Sequence, residues 1–260
     1  MKTIKINKKD SILDILRKLK EFKNNITLHP NYIFRGQADS SWPLNPSLTR
    51  IAVERKLTRA QTIQLERESI NLFMPIAKTL LPAQNTMPIS NGVNYEFYSW
   101  LITMQHYSAP TRLLDWTSSL LVALYFSCNS ENNSDGVIWI GNFAKINDSL
   151  QSPNNFHTNS QIDNFGDEII TLTAGVSNER IIAQKGLFTS CTNPLSDHMV
   201  LISKLGALVK VIIPKEIKVS VMQELFKMNI NATTLFPGLD GLGKTIRDYC
   251  SLWDSSSVIR

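Results

Sequence analysis

The segment MQHYSAPTRLLDWTSSLLVALYFSC, residues 104–128, holds the longest apolar run of the chain and its densest group of reactive side chains. No charged or small polar residue interrupts Leu120–Phe126. A membrane helix needs roughly 20 apolar residues, so this short run indicates a helix buried inside a protein core. We therefore expect Ser118–Cys128 to form a central helix around which other elements pack.

The polar half of the same segment contains seven side chains that could bind a ligand or take part in catalysis: His106, Tyr107, Thr111, Arg112, Asp115, Trp116 and Thr117. Arg112 and Asp115 stand three residues apart, so on a helical turn they can pair with each other. A structural ion pair beside a packed Trp116 is the alternative interpretation, because structural pairs outnumber catalytic ones. Residue types alone leave both interpretations open.

A second candidate site is the tripeptide Phe34-Arg35-Gly36, which follows the apolar residues Tyr32 and Ile33 at the end of a predicted strand. A guanidinium group donates two parallel hydrogen bonds to a phosphate or carboxylate. Gly36 lacks a Cβ and would let a flat ligand lie against the backbone. A surface arginine beside a turn glycine is the structural alternative.

Around these segments, helical patterns dominate the first half of the chain and strand patterns the second half. This arrangement predicts an α+β fold, with a helical N-terminal half packed on a mixed or antiparallel sheet, rather than alternating βαβ units. Pro75 is expected to kink or break the first long helix. The predicted helices are 58–81, 95–105, 118–128, 214–228 and 242–253, and the predicted strands are 32–34, 136–141, 168–173, 208–213 and 233–236.

The composition indicates one globular unit. The chain has 260 residues, of which 43% are apolar and 19% charged, and its net charge is +5. We expect a single domain over residues 1–260, with an N-terminal strand and helix (1–31) packed on the rest. Three widely spaced cysteines and no signal-peptide core favour a reducing cytoplasm, and no membrane span is expected. The mild positive charge permits a polyanionic partner without requiring one.

Residues 238–245, GLDGLGKT, match the phosphate-binding pattern GxxxxGK[ST]. Such a loop needs a parallel sheet and a magnesium-binding carboxylate on a later strand, yet only residues 246–260 follow it. We expect a turn packed on the core rather than a nucleoside triphosphate site. The four histidines show no metal-ligand spacing, so no metal site is predicted.

Four segments together resemble the FRG-domain family, named for the tripeptide at Phe34–Gly36. They lie in the family's order over about residues 32–242: YIFRGQADSSWPLNPSLTR (32–50), MQHYSAPTRLLDWTSSLLVALYFSC (104–128), RIIAQKGLFTS (180–190) and TLFPGLDGL (234–242). Ser108 departs from the family, in which glycine is more frequent at this position. The resemblance implies a bacterial protein, with defence against phage or toxicity as its context.

A weaker resemblance is to ADP-ribosyltransferases, whose NAD-binding core begins with a strand that ends in Arg-Gly, as Tyr32–Gly36 does. The segment Ala123–Ser127 is similar to a Gly-hydrophobic-Tyr-Phe-Ala segment of the polymerases in that group. Gln184 or Asp240 would stand for their later acidic or amide residue, although the usual Glu-x-Glu pair is absent. The implied fold is ADP-ribosyltransferase-like, and the implied substrate is NAD.

The resemblance also implies a role for each candidate. Arg35, Asp115 and Gln184 would be catalytic: Arg35 would hold a phosphate or ribose hydroxyl, and Asp115 (or Asp240) would lie near the ribose. Gly36 would meet the nicotinamide amide, and Tyr107 or Tyr125 would stack on its ring. Core packing is the alternative for each tyrosine. The candidate cofactor-binding residues are Arg35, Gly36, Tyr107, Arg112, Thr117 and Tyr125.

Two functions remain open at this point. The first is an NAD-consuming enzyme that transfers ADP-ribose to a macromolecule (protein or nucleic acid) or hydrolyses NAD. The second is a non-catalytic module that binds nucleic acid or a nucleotide. A deep pocket with aromatic walls would favour the enzyme, and a flat basic face would favour the binding module.

Overall fold

Seven strands form one mixed sheet in the computed structural model, which describes residues 1–22, 31–81, 95–129, 133–148, 167–173 and 179–252. Their order across the sheet is β1-β7-β4-β2-β3-β6-β5, and every neighbouring pair is antiparallel except β1 and β7. The strands are β1 (Lys2–Lys5), β2 (Tyr32–Gln37), β3 (Leu113–Thr117), β4 (Gly136–Asn142), β5 (Ile169–Leu172), β6 (Gly186–Cys191) and β7 (Leu208–Ile213).

Eleven α-helices lie in the described ranges, and a short 3₁₀ helix (Lys215–Ile217) follows β7. They are α1 (Ile12–Phe22), α2 (Ser47–Glu54), α3 (Arg59–Leu80), α4 (Tyr95–His106), α5 (Leu120–Cys128), α6 (Phe143–Asp148), α7 (Glu179–Ala183), α8 (His198–Lys204), α9 (Lys218–Lys227), α10 (Ala232–Leu235) and α11 (Leu239–Leu252). Side-chain caps fix several starts: Thr58 forms a capping box with Gln61, and Ser119 caps α5.

Two helices divide one face of the sheet between them. The buried helix α5 packs with α1 and α9 on the half of the sheet that contains β2, β4 and β7. Helix α4 packs on the other half, against side chains of β3, β5 and β6. The opposite face is covered by α6 and α8, around the buried indoles of Trp116 and Trp139.

Two glycines allow α5 to lie directly on the strands. A Cβ on Gly36 would come within 1.9 Å of the carbonyl oxygen of Ala123, and one on Gly136 within 2.2 Å of that of Ser127. No side chain fits at either position, so β2, β4 and α5 come into backbone contact. The Cβ-free face of Gly36 is turned towards helix α5, and the same residue lies at the edge of the cavity described below.

The sheet opens between its two halves. Strands β2 and β4 pair over six residue positions, from Tyr32 to Gln37, whereas β2 and β3 pair only at Phe34 and Thr117. Beyond this single contact the two strands diverge. Side chains of β2 and β3 near the divergence therefore face a gap between the halves instead of a continuous ladder.

The predicted α+β class with a mixed sheet is confirmed, and so are four of the strands and all five long helices, within a few residues. Helix α3 continues through Pro75, so the predicted break is wrong. Residues 233–236 belong to α10 and not to a strand. The sheet also takes three strands from the first half of the chain, so helices and strands are less segregated than expected.

Candidate functional site

A cavity of about 260 Å³ lies where the sheet opens, between the C-terminal ends of α4 and α5. Phenylalanine side chains form part of its wall: Phe34, Phe126 and Phe188. Its polar lining comprises Arg35, Gln105, His106, Asp115, Thr117, Arg180 and Gln184. All three predicted catalytic residues are among them, although they come from three distant parts of the chain.

Arg35 reaches from β2 across the gap to β3. Its Nη1 donates a hydrogen bond of 2.8 Å to the backbone oxygen of Asp115 and lies 3.6 Å from the Asp115 carboxylate. The Arg35 side chain is 18% exposed and that of Asp115 56%. Burial lowers the pKa of Arg35 and the charge of Asp115 raises it, but a guanidinium remains protonated in proteins. The pair thus presents a fixed cation and an accessible carboxylate.

Strand geometry explains which side chains of β3 reach the cavity. Side chains alternate between the two faces of a strand, so Asp115 and Thr117 share one face and Trp116 takes the other. The indole of Trp116 is buried and donates to Thr189 Oγ1 at 2.9 Å. Trp116 therefore anchors β3 from behind while Asp115 and Thr117 line the cavity.

Gln184 is held at the cavity by both its backbone and its side chain. Thr117 Oγ1 donates to the backbone oxygen of Gln184 at 2.7 Å. The Gln184 Nε2 donates to the backbone oxygen of Leu235 at 3.0 Å. Because the amide nitrogen is engaged in this bond, the side-chain oxygen is the atom that can accept a hydrogen bond from a ligand.

The sequence analysis named His106 among the reactive side chains without giving it a role, and it did not name Arg180 as a candidate. Arg180 Nη1 lies 3.5 Å from the backbone oxygen of His106, and its guanidinium stacks 4.8 Å from the centre of the Phe236 ring. Burial, followed by the charge of Arg180, lowers the pKa of His106 below its ordinary 6.5. Arg180 begins the third segment of the family resemblance, and that position was the signal that could have identified it.

One comparison with known proteins covers the first part of this site. The family model described as FRG domain matches residues 30–136. Over these residues the chain is similar to FRG domains. The matched region includes Arg35, His106 and Asp115, whereas Arg180 and Gln184 lie beyond it. No curated protein and no solved structure matches the chain.

The turn that follows α4 contains a residue with left-handed backbone geometry. Ser108 has a φ of 65°, in the region that glycine adopts without strain. The turn lies between α4 and β3, the strand that carries Asp115. Glycine would suit this conformation better than serine.

The two tyrosines proposed to stack on a ligand do not line this cavity. Tyr107 is exposed, and its ring contacts that of Phe73. Tyr125 is fully buried, donates to Asp248 at 3.3 Å and accepts from Asn129 at 2.8 Å. Burial raises the pKa of Tyr125 above 10.0. Tyr125 is therefore a packing residue, and the adjacent Phe126 is the aromatic residue of α5 at the cavity.

Arg112 also lies away from the cavity, in a buried ion pair. Its guanidinium contacts the carboxylate of Glu66 on α3, and its Nη1 donates to the backbone oxygen of Thr192 at 3.0 Å. The expected pairing with Asp115 is wrong. Residues three apart on a strand face opposite sides, and the segment that was assumed to be helical is β3.

The GxxxxGK[ST] pattern forms no phosphate cradle. Residues 239–252 are helix α11, so all but the first residue of the pattern is helical. Lys244 Nζ lies 4.4 Å from the centre of the Phe236 ring. Asp240, the alternative to Gln184, is exposed on the first turn of α11 and does not line the cavity.

The described residues contain neither a membrane-spanning helix nor a metal-binding cluster. None of the helices they form is both long and apolar enough to cross a bilayer. Within the same ranges, no group of three or more His, Cys, Asp or Glu side chains has the arrangement of a metal site.

Proposed function

We propose that the cavity binds NAD and that the protein cleaves its nicotinamide–ribose bond. The observation that carries the proposal is the convergence of Arg35, Asp115 and Gln184 on one cavity with aromatic walls. The three residues come from separate segments of the chain. Convergence of polar groups in an apolar pocket is typical of ligand and active sites.

The charges of the described lining residues complement those of NAD. Arg35 and Arg180 supply two positive charges and Asp115 one negative charge, while His106 is neutral near pH 7. NAD carries two negative charges on its diphosphate and one positive charge on its nicotinamide ring. An oriented ligand would therefore place its ring near Asp115 and its diphosphate near the guanidinium groups.

The volume suggests which part of NAD enters. Ligand pockets in proteins usually measure about 300–1,000 Å³, and this cavity of about 260 Å³ lies just below that range. It suits the nicotinamide and its ribose better than a whole dinucleotide. The adenosine half would remain at the mouth of the cavity.

The reaction follows from the positions of the polar groups. The bond between ribose C1′ and the ring nitrogen breaks, and its electron pair leaves with nicotinamide. The carboxylate of Asp115 stabilises the positive charge that develops on the ribose. An oxygen of water, or of a protein or nucleic-acid acceptor, then attacks C1′ and loses its proton to Asp115 or to solvent. Gln184 Oε1 accepts from a ribose hydroxyl and orients the sugar.

The proposal carries consequences for the cell. NAD is abundant in the cytoplasm, so an enzyme of this kind would act there. Depletion of NAD stops growth, and toxicity on expression is therefore expected, which would suit a role in bacterial defence against phage.

The test is release of nicotinamide from NAD by the purified protein and by Arg35→Lys. Lysine keeps the charge but loses the planar fork, so turnover should fall about ten- to a hundredfold, equivalent to about 1.4–2.7 kcal/mol. Arg17→Lys is the matched control, because Arg17 is exposed on α1, where its guanidinium pairs with Asp14. Absence of nicotinamide release by the wild type, combined with binding to RNA or DNA, would favour the binding module instead.

A further inference from the structure

The wall of the cavity contains a second guanidinium group, that of Arg180, and an imidazole, that of His106. We propose that Arg180 and His106 form a subsite for a phosphate group, and that the cavity accordingly selects nucleotides with a diphosphate over nucleosides. This inference rests on the proposed function and assigns the diphosphate of its substrate to named side chains.

The guanidinium of Arg180 is held in a defined orientation. One of its nitrogens faces the backbone oxygen of His106 at 3.5 Å, and its plane packs on Phe236 at 4.8 Å from the ring centre. Phe236 in turn packs edge-on against Phe126, which lines the cavity. These contacts already restrict the Arg180 side chain, so binding a ligand would cost little further side-chain entropy. This preorganisation favours binding of an anion.

His106 supplies the second observation. Its Nδ1 is buried and has no hydrogen-bond partner among the described residues, although the side chain lines the cavity. A buried polar atom without a partner is costly, so a ligand that accepts a hydrogen bond from His106 Nδ1 would gain stability. In the tautomer with a proton on Nδ1, the neutral imidazole donates one hydrogen bond to a phosphate oxygen.

Arg35, which also lines the cavity, has a hydrogen-bond donor without a partner among the described residues as well. Its Nε is buried without a partner in the described part of the chain, while its Nη1 is engaged with Asp115. The two guanidinium groups and the imidazole thus offer donors to two adjacent phosphates. A nucleoside, with no phosphate, would leave these donors unsatisfied.

The experiment measures binding of ADP-ribose and of adenosine by isothermal titration calorimetry. The wild type should bind ADP-ribose at least tenfold more tightly than adenosine. Arg180→Gln should weaken ADP-ribose binding about ten- to a hundredfold. The affinity for adenosine should stay the same, because adenosine has no phosphate. Arg17→Gln is the matched control, since it removes the same charge from an exposed side chain outside the cavity. It should bind ADP-ribose within twofold of the wild type.

A second variant tests whether weaker binding comes from loss of the fold instead of loss of the subsite. Arg180→Lys keeps the charge and much of the packing on Phe236, and its melting temperature is recorded beside that of Arg180→Gln. An intermediate loss of ADP-ribose affinity in Arg180→Lys, with melting unchanged, supports the subsite. Equal affinities of the wild type, Arg180→Gln and Arg180→Lys for ADP-ribose would overturn it, as would equal losses in Arg180→Gln and Arg17→Gln.

The inference and the proposed function fail in different ways. If the wild type releases nicotinamide from NAD while Arg180→Gln keeps the wild-type KM for NAD, the subsite is wrong and the activity stands. If ADP-ribose binds in an Arg180-dependent manner but no nicotinamide is released, the subsite stands and the proposed function is wrong.

Discussion

Thr189 links two buried side chains behind the cavity. Its hydroxyl accepts a hydrogen bond from Trp116 Nε1 and lies 3.1 Å from Nδ1 of His198. The hydroxyl can donate its proton to an unprotonated Nδ1, or accept from the ring in the other tautomer. Burial, and then the charge of Arg35, lower the pKa of His198 from 6.5 to about 3. The imidazole is therefore neutral at pH 7.

This network predicts a loss of stability on acidification. The unfolded chain takes up a proton on His198 below pH 6.5, whereas the folded protein does so only near pH 3, so stability falls as the pH decreases between these values. From pH 6.5 to pH 5, we expect a loss of about 2 kcal/mol in the free energy of unfolding. Urea titrations across this range measure it.

The matched variant is His198→Gln, whose side chain does not titrate and can still accept from Thr189. Its free energy of unfolding should depend less on pH by that same amount. A parallel pH dependence in the wild type and His198→Gln would contradict the buried neutral histidine.

A functional residue could be predicted from the sequence where a motif defines its exact position. It could not be predicted where a motif defines only the kind of residue and two neighbours fit. Arg35 is defined by its place at the end of a strand, and the structure has it there. Tyr125 and Phe126 are neighbours in the segment ALYFS, but consecutive residues on a helix point about 100° apart. A short match does not show which of the two faces the cavity.

Among the elements, the contact between β2 and α5 depends most directly on one residue. An alanine Cβ at position 36 would overlap the backbone oxygen of Ala123, at 1.9 Å, and the helix would have to move. Overpacking of a core costs about 1–3 kcal/mol and occasionally more, and the obstacle here is backbone. We expect Gly36→Ala to lower the free energy of unfolding by at least 3 kcal/mol, measured by urea unfolding.

Gly243 provides the control for this prediction. It lies inside α11, and a Cβ there would meet no atom within 4 Å. Alanine is favoured over glycine in a helix by about 0.5–1 kcal/mol, so Gly243→Ala should stabilise the protein by that amount. Destabilisation by Gly243→Ala would contradict the placement of Gly243 inside helix α11. No effect of Gly36→Ala would contradict the close packing of β2 on α5.

The ion pair between Glu66 and Arg112 joins α3 to the start of β3. Both side chains are almost fully buried. Removing one charge leaves the other buried without compensation, which costs about 3–5 kcal/mol. We expect Glu66→Gln to lower the free energy of unfolding by up to that amount, because glutamine retains part of the hydrogen bonding.

Glu68→Gln is the control on the same helix. The Glu68 carboxylate is exposed and accepts a hydrogen bond from Gln64, so its loss should cost less than about 0.5 kcal/mol. Thermal and urea unfolding of both variants measure the difference. Equal effects would show that the buried pair contributes no more than a surface contact.

Elements with strong periodicity were predictable, and short elements that carry polar residues were not. Leu208–Ile213 is a run of β-branched and apolar residues, and it was predicted as the strand that the structure contains. Strands β3 (Leu113–Thr117) and β6 (Gly186–Cys191) contain Asp, Thr and Ser, and pairing within the sheet decides their conformation. Local propensity is weak where tertiary contacts dominate.

At the scale of the whole molecule, the cavity lies where the pairing of the sheet is shortest, between β2 and β3. The half that contains β2 is covered by α5 and the half that contains β3 by α4, and the polar residues lie where the two halves separate. No local sequence pattern encodes this opening. The sequence could nominate Arg35, Asp115 and Gln184, but only the topology shows that they share a cavity.

The central claim is that this cavity cleaves NAD with Asp115 as the carboxylate beside the ribose. The most direct test is the rate of nicotinamide release from NAD, measured for the wild type and for Asp115→Asn at equal concentrations. We predict release by the wild type well above the protein-free rate, and a decrease of about 10²–10⁴-fold in Asp115→Asn. No release by the wild type, or equal rates for the two proteins, would contradict the account.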